Sequence, residues 1–460
     1  MPTPRLLRDV RPTVALAVPI VLAQLTQMSM SFVDVVMVGR LGTEAMAAIV
    51  LGSTTYFTLS LVCVGVLVAV QPTVAQAIGA GDEAEAGRGA RQGLWLATVL
   101  GLPFTVGLGW MEEAFLWTGQ APETSALAGA YVGAIRWGFV PNRWFTALRG
   151  LAEGDARPRP VLAVTVLGTA FNAGLNYVLM FGALGVPALG LVGTGWSSAL
   201  TTAVMFVALA LYVRRGPLGR FRVFAGLRTP DPEALGALFR LGWPIGVGFG
   251  LEAGLFSAVT LVAGRLPDHE TALAAHQIAL NAASVAFMVP LGIGMAGGVR
   301  VGQAAGAGDL DGAARAGWTA SALGAGFMTL SAAVFWLRPE WVIRLYAGRQ
   351  PDPEVASLAV ALLGIAAVFQ LFDGVQAAVA GALRGLKDTV VPMGIAAVAY
   401  WGVGLTVGGA LGLRSGLGAR GLWWGLTLGL AVAAVGLSAR FALRTRRPPE
   451  PGPERTKESR

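Results

Sequence analysis

Along this chain apolar residues gather into long stretches, broken by short clusters of charge, glycine and proline. The stretches fall at 13–38, 45–75, 92–111, 124–147, 160–182, 190–213, 239–263, 273–299, 316–337, 355–383, 389–412 and 418–443. Each is long enough for a helix across the hydrocarbon of a bilayer, which takes about 20 residues for about 30 Å. The pattern predicts an all-α integral membrane protein of twelve transmembrane helices. The first stretch is longer than a signal-peptide core and leads into Asp34 instead of a small-residue cleavage site, so it reads as a retained helix.

A repeat organises the twelve. Gln76-Ala-Ile-Gly-Ala-Gly-Asp82 after the second stretch returns as Gln303-Ala-Ala-Gly-Ala-Gly-Asp309 after the eighth. Val38-Gly39-Arg40-Leu41 matches Ala263-Gly264-Arg265-Leu266, and Ala147-Leu148-Arg149-Gly150-Leu151 matches Ala382-Leu383-Arg384-Gly385-Leu386. Matches at one nearly constant offset imply duplication. Six helices per half is an even number, so the halves share an orientation and form two pseudo-symmetric lobes that can rock about a central site. The expected organisation is an N-terminal segment 1–12, a six-helix lobe 13–213, a linker 214–238, a second lobe 239–443 and a disordered tail 444–460 rich in proline and charge.

Composition agrees with a lipid environment. Hydrophobic residues make up 55% of the chain and charged residues 13%, against roughly 25% charged in a soluble domain. The net charge of +8 does not point to nucleic acid, because the basic residues lie between apolar stretches and form no aromatic-interleaved basic domain. Most of the 34 Lys and Arg fall in the termini and the loops after helices 2, 4, 6, 8 and 10; the opposite loops hold only Arg40, Arg265, Arg338, Arg344, Arg349, Arg414 and Arg420. By the positive-inside rule both termini are cytoplasmic and the chain is multi-pass in the cell membrane. One cysteine, Cys63, and two histidines, His269 and His276, leave no disulfide framework or histidine metal cluster, and no cofactor is expected.

The candidate chemistry is the polar residues inside apolar stretches. Three acids stand out at apparent mid-span depth: Asp34 on helix 1, Glu252 on helix 7 and Asp373 on helix 10. Ionisable groups in hydrocarbon are costly and mark functional sites by default. Amides accompany them at helical spacing: Gln24 and Gln27, Asn172 and Asn176, Gln277 and Asn281 beside His276, and Gln370 and Gln376 flanking Asp373. The plainer readings are interhelical hydrogen bonds for the amides, a satisfied interior histidine for His276, and ion pairs with Arg136 or Arg143, the basic residues well inside stretches. A buried carboxyl can exchange a proton, and one ringed by oxygens can hold a monovalent cation.

The run Pro19 to Gln24 through Val33-Asp34-Val-Val-Met-Val-Gly39-Arg40, the duplicated Gln-Ala-x-Gly-Ala-Gly-Asp, Asn172-Ala-Gly-Leu-Asn176-Tyr177 and His276-Gln277-Ile-Ala-Leu-Asn281 resemble the multidrug and toxic compound extrusion (MATE) transporters. Val299-Arg300-Val-Gly302-Gln303 and the stretch from Asp373 to Gly385 resemble their NorM-like bacterial branch. The resemblance covers roughly residues 12–443. It implies an antiporter, Na⁺ or H⁺ in and amphipathic, mostly cationic organic compounds out, with coupling acids at Glu252 and Asp373 in the second lobe and at Asp34, with Asn172 and Asn176, in the first. It also implies a cavity lined by helices 1, 2, 7 and 8. The family's frequent tyrosine one turn before the helix 10 acid is Phe369 here, which removes a hydroxyl ligand from a Na⁺ site at Glu252 and Asp373.

Two rivals belong to other classes. A lipid-linked saccharide flippase of the same superfamily would line its cavity with several basic residues, and only Arg136 and Arg143 lie more than three residues inside the stretches. An intramembrane enzyme would need a His-Glu-x-x-His motif or a phosphate-cradling loop with lysine; the only lysines are Lys387 and Lys457. The expected partners are small organic cations and membrane lipid, with the chain acting as a monomer and binding no nucleic acid.

Overall fold

Hydrocarbon offers no partner for a backbone N–H or C=O, so each crossing segment must close its own hydrogen bonds. The computed structural model, which describes residues 5–348 and 352–446, does so with helices throughout. The first half holds α1 (Arg5–Val38), α2 (Thr43–Gly79), α3 (Glu83–Trp117), α4 (122–154), α5 (Arg159–Phe181) and α6 (Gly190–Arg215). The second holds α7 (Pro232–Ala263), α8 (His269–Gly306), α9 (Leu310–Leu337), α10 (Pro353–Gly385), α11 (Val390–Leu413) and α12 (Gly418–Arg446). Eleven of these are long and apolar enough to cross a membrane. The twelfth, α4, is broken by a 3-10 turn at Arg136–Gly138 and carries Arg136, Arg143, Arg149 and Glu153, which dilute its apolar character.

The helices outrun the apolar stretches. α3 begins at Glu83 where the pattern predicts 92, α7 at Pro232 instead of 239, and α8 continues to Gly306 instead of 299. An apolar stretch measures hydrocarbon thickness, whereas a helix continues until a cap stops it. Asp82 and Asp231 cap the starts of α3 and α7, accepting from the N–H groups of Glu85 and of Glu233 and Ala234, and Asp309 starts α9 just beyond α8, accepting from that of Gly312. The linker expected at 214–238 therefore shrinks: α6 runs through Arg215, and a 3-10 turn at Pro217–Phe221 precedes α7. Residues 5–12 of the expected N-terminal segment are the first turns of α1, and 444–446 of the expected tail continue α12; residues 1–4 and 447–460 lie outside the described residues.

Both ends of the described chain emerge on one face, called here the termini face. The two halves meet along α1 with α8 and α2 with α7 and α8, where small residues let backbones touch. A Cβ on Gly65 would lie 2.4 Å from Gly246 Cα, and one on Gly242 would lie 2.2 Å from the Val66 carbonyl. Nearer the termini face the duplicated motif closes the seam. Gln76 Nε2 donates to the carbonyl of Gly385 at 2.8 Å, and Gln303 Nε2 donates to that of Gly154 at 2.9 Å. Arg300 adds bonds to Asp9 and Thr13. Among the described residues every hydrogen bond and ion pair between the halves lies in the part nearer the termini. Toward the other face the halves diverge, and Phe32, Phe57 and Leu261 there stay exposed.

Candidate functional site

In the first half, α1, α5 and α6 bring one acid among amides and hydroxyls. The i, i+4 spacing of Asn172 and Asn176 puts both on the face of α5 that meets Asp34, and both are fully buried. Asn176 Nδ2 donates to Asp34 Oδ1 and, at 3.3 Å, to Asn172 Oδ1. Ser198 Oγ donates to Asp34 Oδ2 at 3.3 Å, and Ser197 Oγ donates to the Asn172 carbonyl at 3.1 Å. Among the described residues Asn176 Oδ1 has no partner. Rotating that amide by half a turn would offer its oxygen to a protonated Asp34, so the pair can serve either charge state. Asp34 sits one turn before the end of α1, nearer the far face than the expected mid-span position, because both α1 and its apolar stretch stop at Val38, four residues on.

The second half arranges its acids differently. Asp373 is 4% exposed on α10, and Glu252 on α7 faces a cavity of about 620 Å³, its open mouth included. Gln376, Arg384, Asp388, Thr389 and Tyr400 line the same cavity. Neither Glu252 nor Asp373 accepts a hydrogen bond or makes an ion pair among the described residues. Gln376 Nε2 donates to Tyr400 Oη at 2.9 Å, leaving Gln376 Oε1 unpartnered, and both amide atoms of buried Gln370 are unpartnered as well. Bare carboxylates and orphaned amide oxygens form a donor set that a proton or a monovalent cation would complete.

The other expected residues stand apart. Trp423 Nε1 donates to His276 Nδ1 at 3.2 Å, so Nε2 carries the hydrogen and meets Thr260 Oγ1 at 3.0 Å, whose own hydrogen goes to the Phe256 carbonyl. His276 is thus a neutral, fully engaged interior histidine. Gln277 and Asn281 are exposed on α8. Gln24 Oε1 accepts from Arg149 at 2.9 Å, and Gln27 lines a separate small cavity with Asn142 and Thr202. Arg143 donates to the carbonyl and hydroxyl of Ser60, both at 3.1 Å, and Arg136 lies over Trp137, so neither neutralises an acid.

Four participants escaped the sequence reading. Ser197 and Ser198 form a polar pair inside an apolar stretch and could have been flagged. Tyr400 gave no signal; it reaches Gln376 from a π-helical turn of α11 at Val398–Leu405, and returns a hydroxyl to the neighbourhood where Phe369 removes one. Phe369 instead packs edge-on against Phe256 and Trp423. Arg384 stands in the repeat, one residue past the end of the tenth apolar stretch, where nothing in the sequence separates it from a loop residue.

A model of the MatE family matches residues 19–178 and 244–408, one stretch in each half. The chain is 42% identical over 442 residues to a probable multidrug resistance protein NorM of Rhizobium meliloti, covering 95% of this chain and 94% of that one. It is 42% identical to the multidrug resistance protein NorM of Burkholderia vietnamiensis, covering 96% of each. Among solved structures it is similar to an outward-facing conformation of a multidrug resistance MATE family transporter of the MOP superfamily (TM-score 0.87, 20% identity, 96% of this chain and 97% of that one). It is similar also to the eukaryotic MATE transporter AtDTX14 (TM-score 0.85, 20% identity, 96% and 99%).

Proposed function

The chain belongs to the MatE family, and from that premise we propose that it exports amphipathic, mostly cationic organic compounds by alternating access, driven by Na⁺ or H⁺ moving the other way. It is a multidrug transporter and not an enzyme. The halves are two rocking lobes. The termini face is cytoplasmic, in keeping with its excess of Arg and Lys, and the membrane is the cell's plasma or inner membrane.

The observation that carries the reading is the bare acid pair. Asp373 is buried and Glu252 faces the cavity, and neither has a hydrogen-bond donor or an ion-pair partner among the described residues, which is unfavourable for carboxylates unless something binds them. Their occupant would be the coupling ion, with Asp34 and its asparagines as a second station. An occupied site favours the lobe arrangement open to the far side, and a cationic substrate in the cleft favours the ion's departure. The coupling lies in this difference of affinity between states, since a ligand shifts an equilibrium only by binding one state better.

The test is efflux of ethidium from proteoliposomes under a Na⁺ gradient and, separately, a pH gradient. Transport driven by one of them should disappear in Asp373→Asn and Glu252→Gln, with the protein still inserted. Undiminished ion-driven transport by both variants would remove the acid pair from the mechanism.

A further inference from the structure

The repeat is broken at one informative place. In the first half, Arg149 pairs with the carboxylate four residues on: Arg149 Nε lies 2.6 Å from Glu153 Oε1. The matching residues of the second half are Arg384 and Asp388. Asp388 is already taken, by Arg440 at 2.7 Å and Arg444 at 3.4 Å, both from α12. Arg384 is left with a backbone carbonyl, that of Ala380 at 3.3 Å, and with the ring of Phe249, whose centroid lies 5.7 Å from its Cζ. It makes no ion pair among the described residues.

Helical side chains lean toward the N-terminus of their own helix. α10 runs toward the termini face, so Arg384, at its last turn, leans back into the lobe. There it lines the cavity that holds Glu252, Gln376 and Tyr400. One half therefore keeps its arginine in a closed pair, while the other places a cation without a partner in the same enclosed space as a carboxylate without a partner.

We propose that Arg384 is a built-in competitor of the coupling ion: tethered in the cavity, its guanidinium balances Glu252 when no ion is bound, and an arriving ion must displace it. Resting on Phe249 and the Ala380 carbonyl is its withdrawn position. The inference rests on the reading of Glu252 and Asp373 as the coupling acids. A tethered competitor weakens ion binding and speeds ion release, so it acts on turnover as well as on affinity.

The charged and titratable groups that line the cavity with Arg384 are Glu252 from α7, Asp388 between α10 and α11 and Tyr400 from α11; Arg440 and Arg444 from α12 are held by Asp388, Asp373 lies three turns before Arg384 on α10, and α8 contributes only Phe287 and Leu291 to the cavity. Removing the guanidinium takes a unit charge from the wall of the cavity that Glu252 faces. At an effective dielectric of about 20 this strengthens ion binding about tenfold or more.

Ethidium efflux should therefore be titrated against the driving ion for the parent, Arg384→Gln, Arg384→Met and Arg384→Lys. The neutral variants should show a half-saturating ion concentration about tenfold lower, or a midpoint pH about one unit higher if the ion is H⁺, together with a lower maximal rate. Arg384→Lys should stay near the parent. Half-saturation that is unchanged or raised in the neutral variants, or lowered equally in Arg384→Lys, overturns the proposal. Should Arg384→Gln fail to insert, Arg384→Met, which keeps the apolar stem over Phe249, carries the same test. A purely structural role would reduce the amount of protein in the membrane and leave half-saturation in place. Retained ion-driven transport in Asp373→Asn and Glu252→Gln would instead defeat the reading of the acid pair; loss there with no shift at Arg384 defeats this inference alone.

Discussion

A carboxylate is defined by the groups that donate to it, and the contrast between Asp34 and Asp373 shows how far two buried acids of one protein can differ. Asp34 has an amide and a hydroxyl aimed at its two oxygens, and Asp373 has no donor among the described residues. Outside the hydrocarbon Asp231 gives the fully satisfied case. The N–H of Ala234, and then the guanidinium of Arg88, hold its carboxyl below the ordinary value of 3.8. The folded chain thus binds this proton less readily than the unfolded one. The stability it contributes is complete above the unfolded value and is lost as pH falls through the lowered one. Asp231→Asn, which keeps a cap but not the charge, should flatten the acid limb of thermal unfolding in detergent; an acid limb identical to the parent's would show that the charge at this cap is irrelevant to stability.

At the scale of elements, the contacts that set the lobes against each other are made by backbones, and glycine is what permits them. A Cβ on Gly306 would lie 2.0 Å from the Gln76 carbonyl, and one on Gly79 would lie 2.0 Å from that of Gln303. Both collisions are with main chain and cannot be relieved by a rotamer change. Gly306→Ala should therefore hold the ends of α2 and α8 apart. Spin labels at Ala80→Cys and Ala307→Cys, in a background lacking Cys63, should report a longer distance; an unchanged distribution would mean that the seam tolerates the methyl group. These helices were legible in the sequence because lipid imposes a charge-free length, and the duplication was legible because its polar motif survived in both copies. The lengths of α3, α7 and α8 were not, since nothing in an apolar count registers a cap beyond the bilayer. Asp34, Asn172 and Asn176 could be grouped by spacing alone. Arg384 and Tyr400 could not: the first depends on the backward lean of a side chain, the second on a π-helical turn that shifts the helical register.

For the whole molecule, one side of the lobe interface is closed and the other open. The closed side includes two equivalent hydrogen bonds, Gln76 to Gly385 and Gln303 to Gly154. Each net bond contributes on the order of 1 kcal/mol. Gln76→Ala and Gln303→Ala should shift the lobe equilibrium away from the closed termini face by similar amounts, and the double variant by roughly their sum, as read from the same spin-label distances. A large effect from one and none from the other would mean that only one half holds the seal.

That reciprocity carries a further meaning. Each glutamine crosses to the end of the fourth helix of the opposite half, so residue i of one copy meets residue j of the other and j meets i. This is the rule of an isologous contact, the kind that a two-fold dimer makes with itself. Two copies of a single six-helix chain facing the same way in a bilayer could form this seal with no linker between them. In this chain the gate keeps the form of a homodimer interface, while the two lobes it joins have become unlike: one holds its acid in a web of amides and hydroxyls, the other leaves its acids open beside an unpaired arginine.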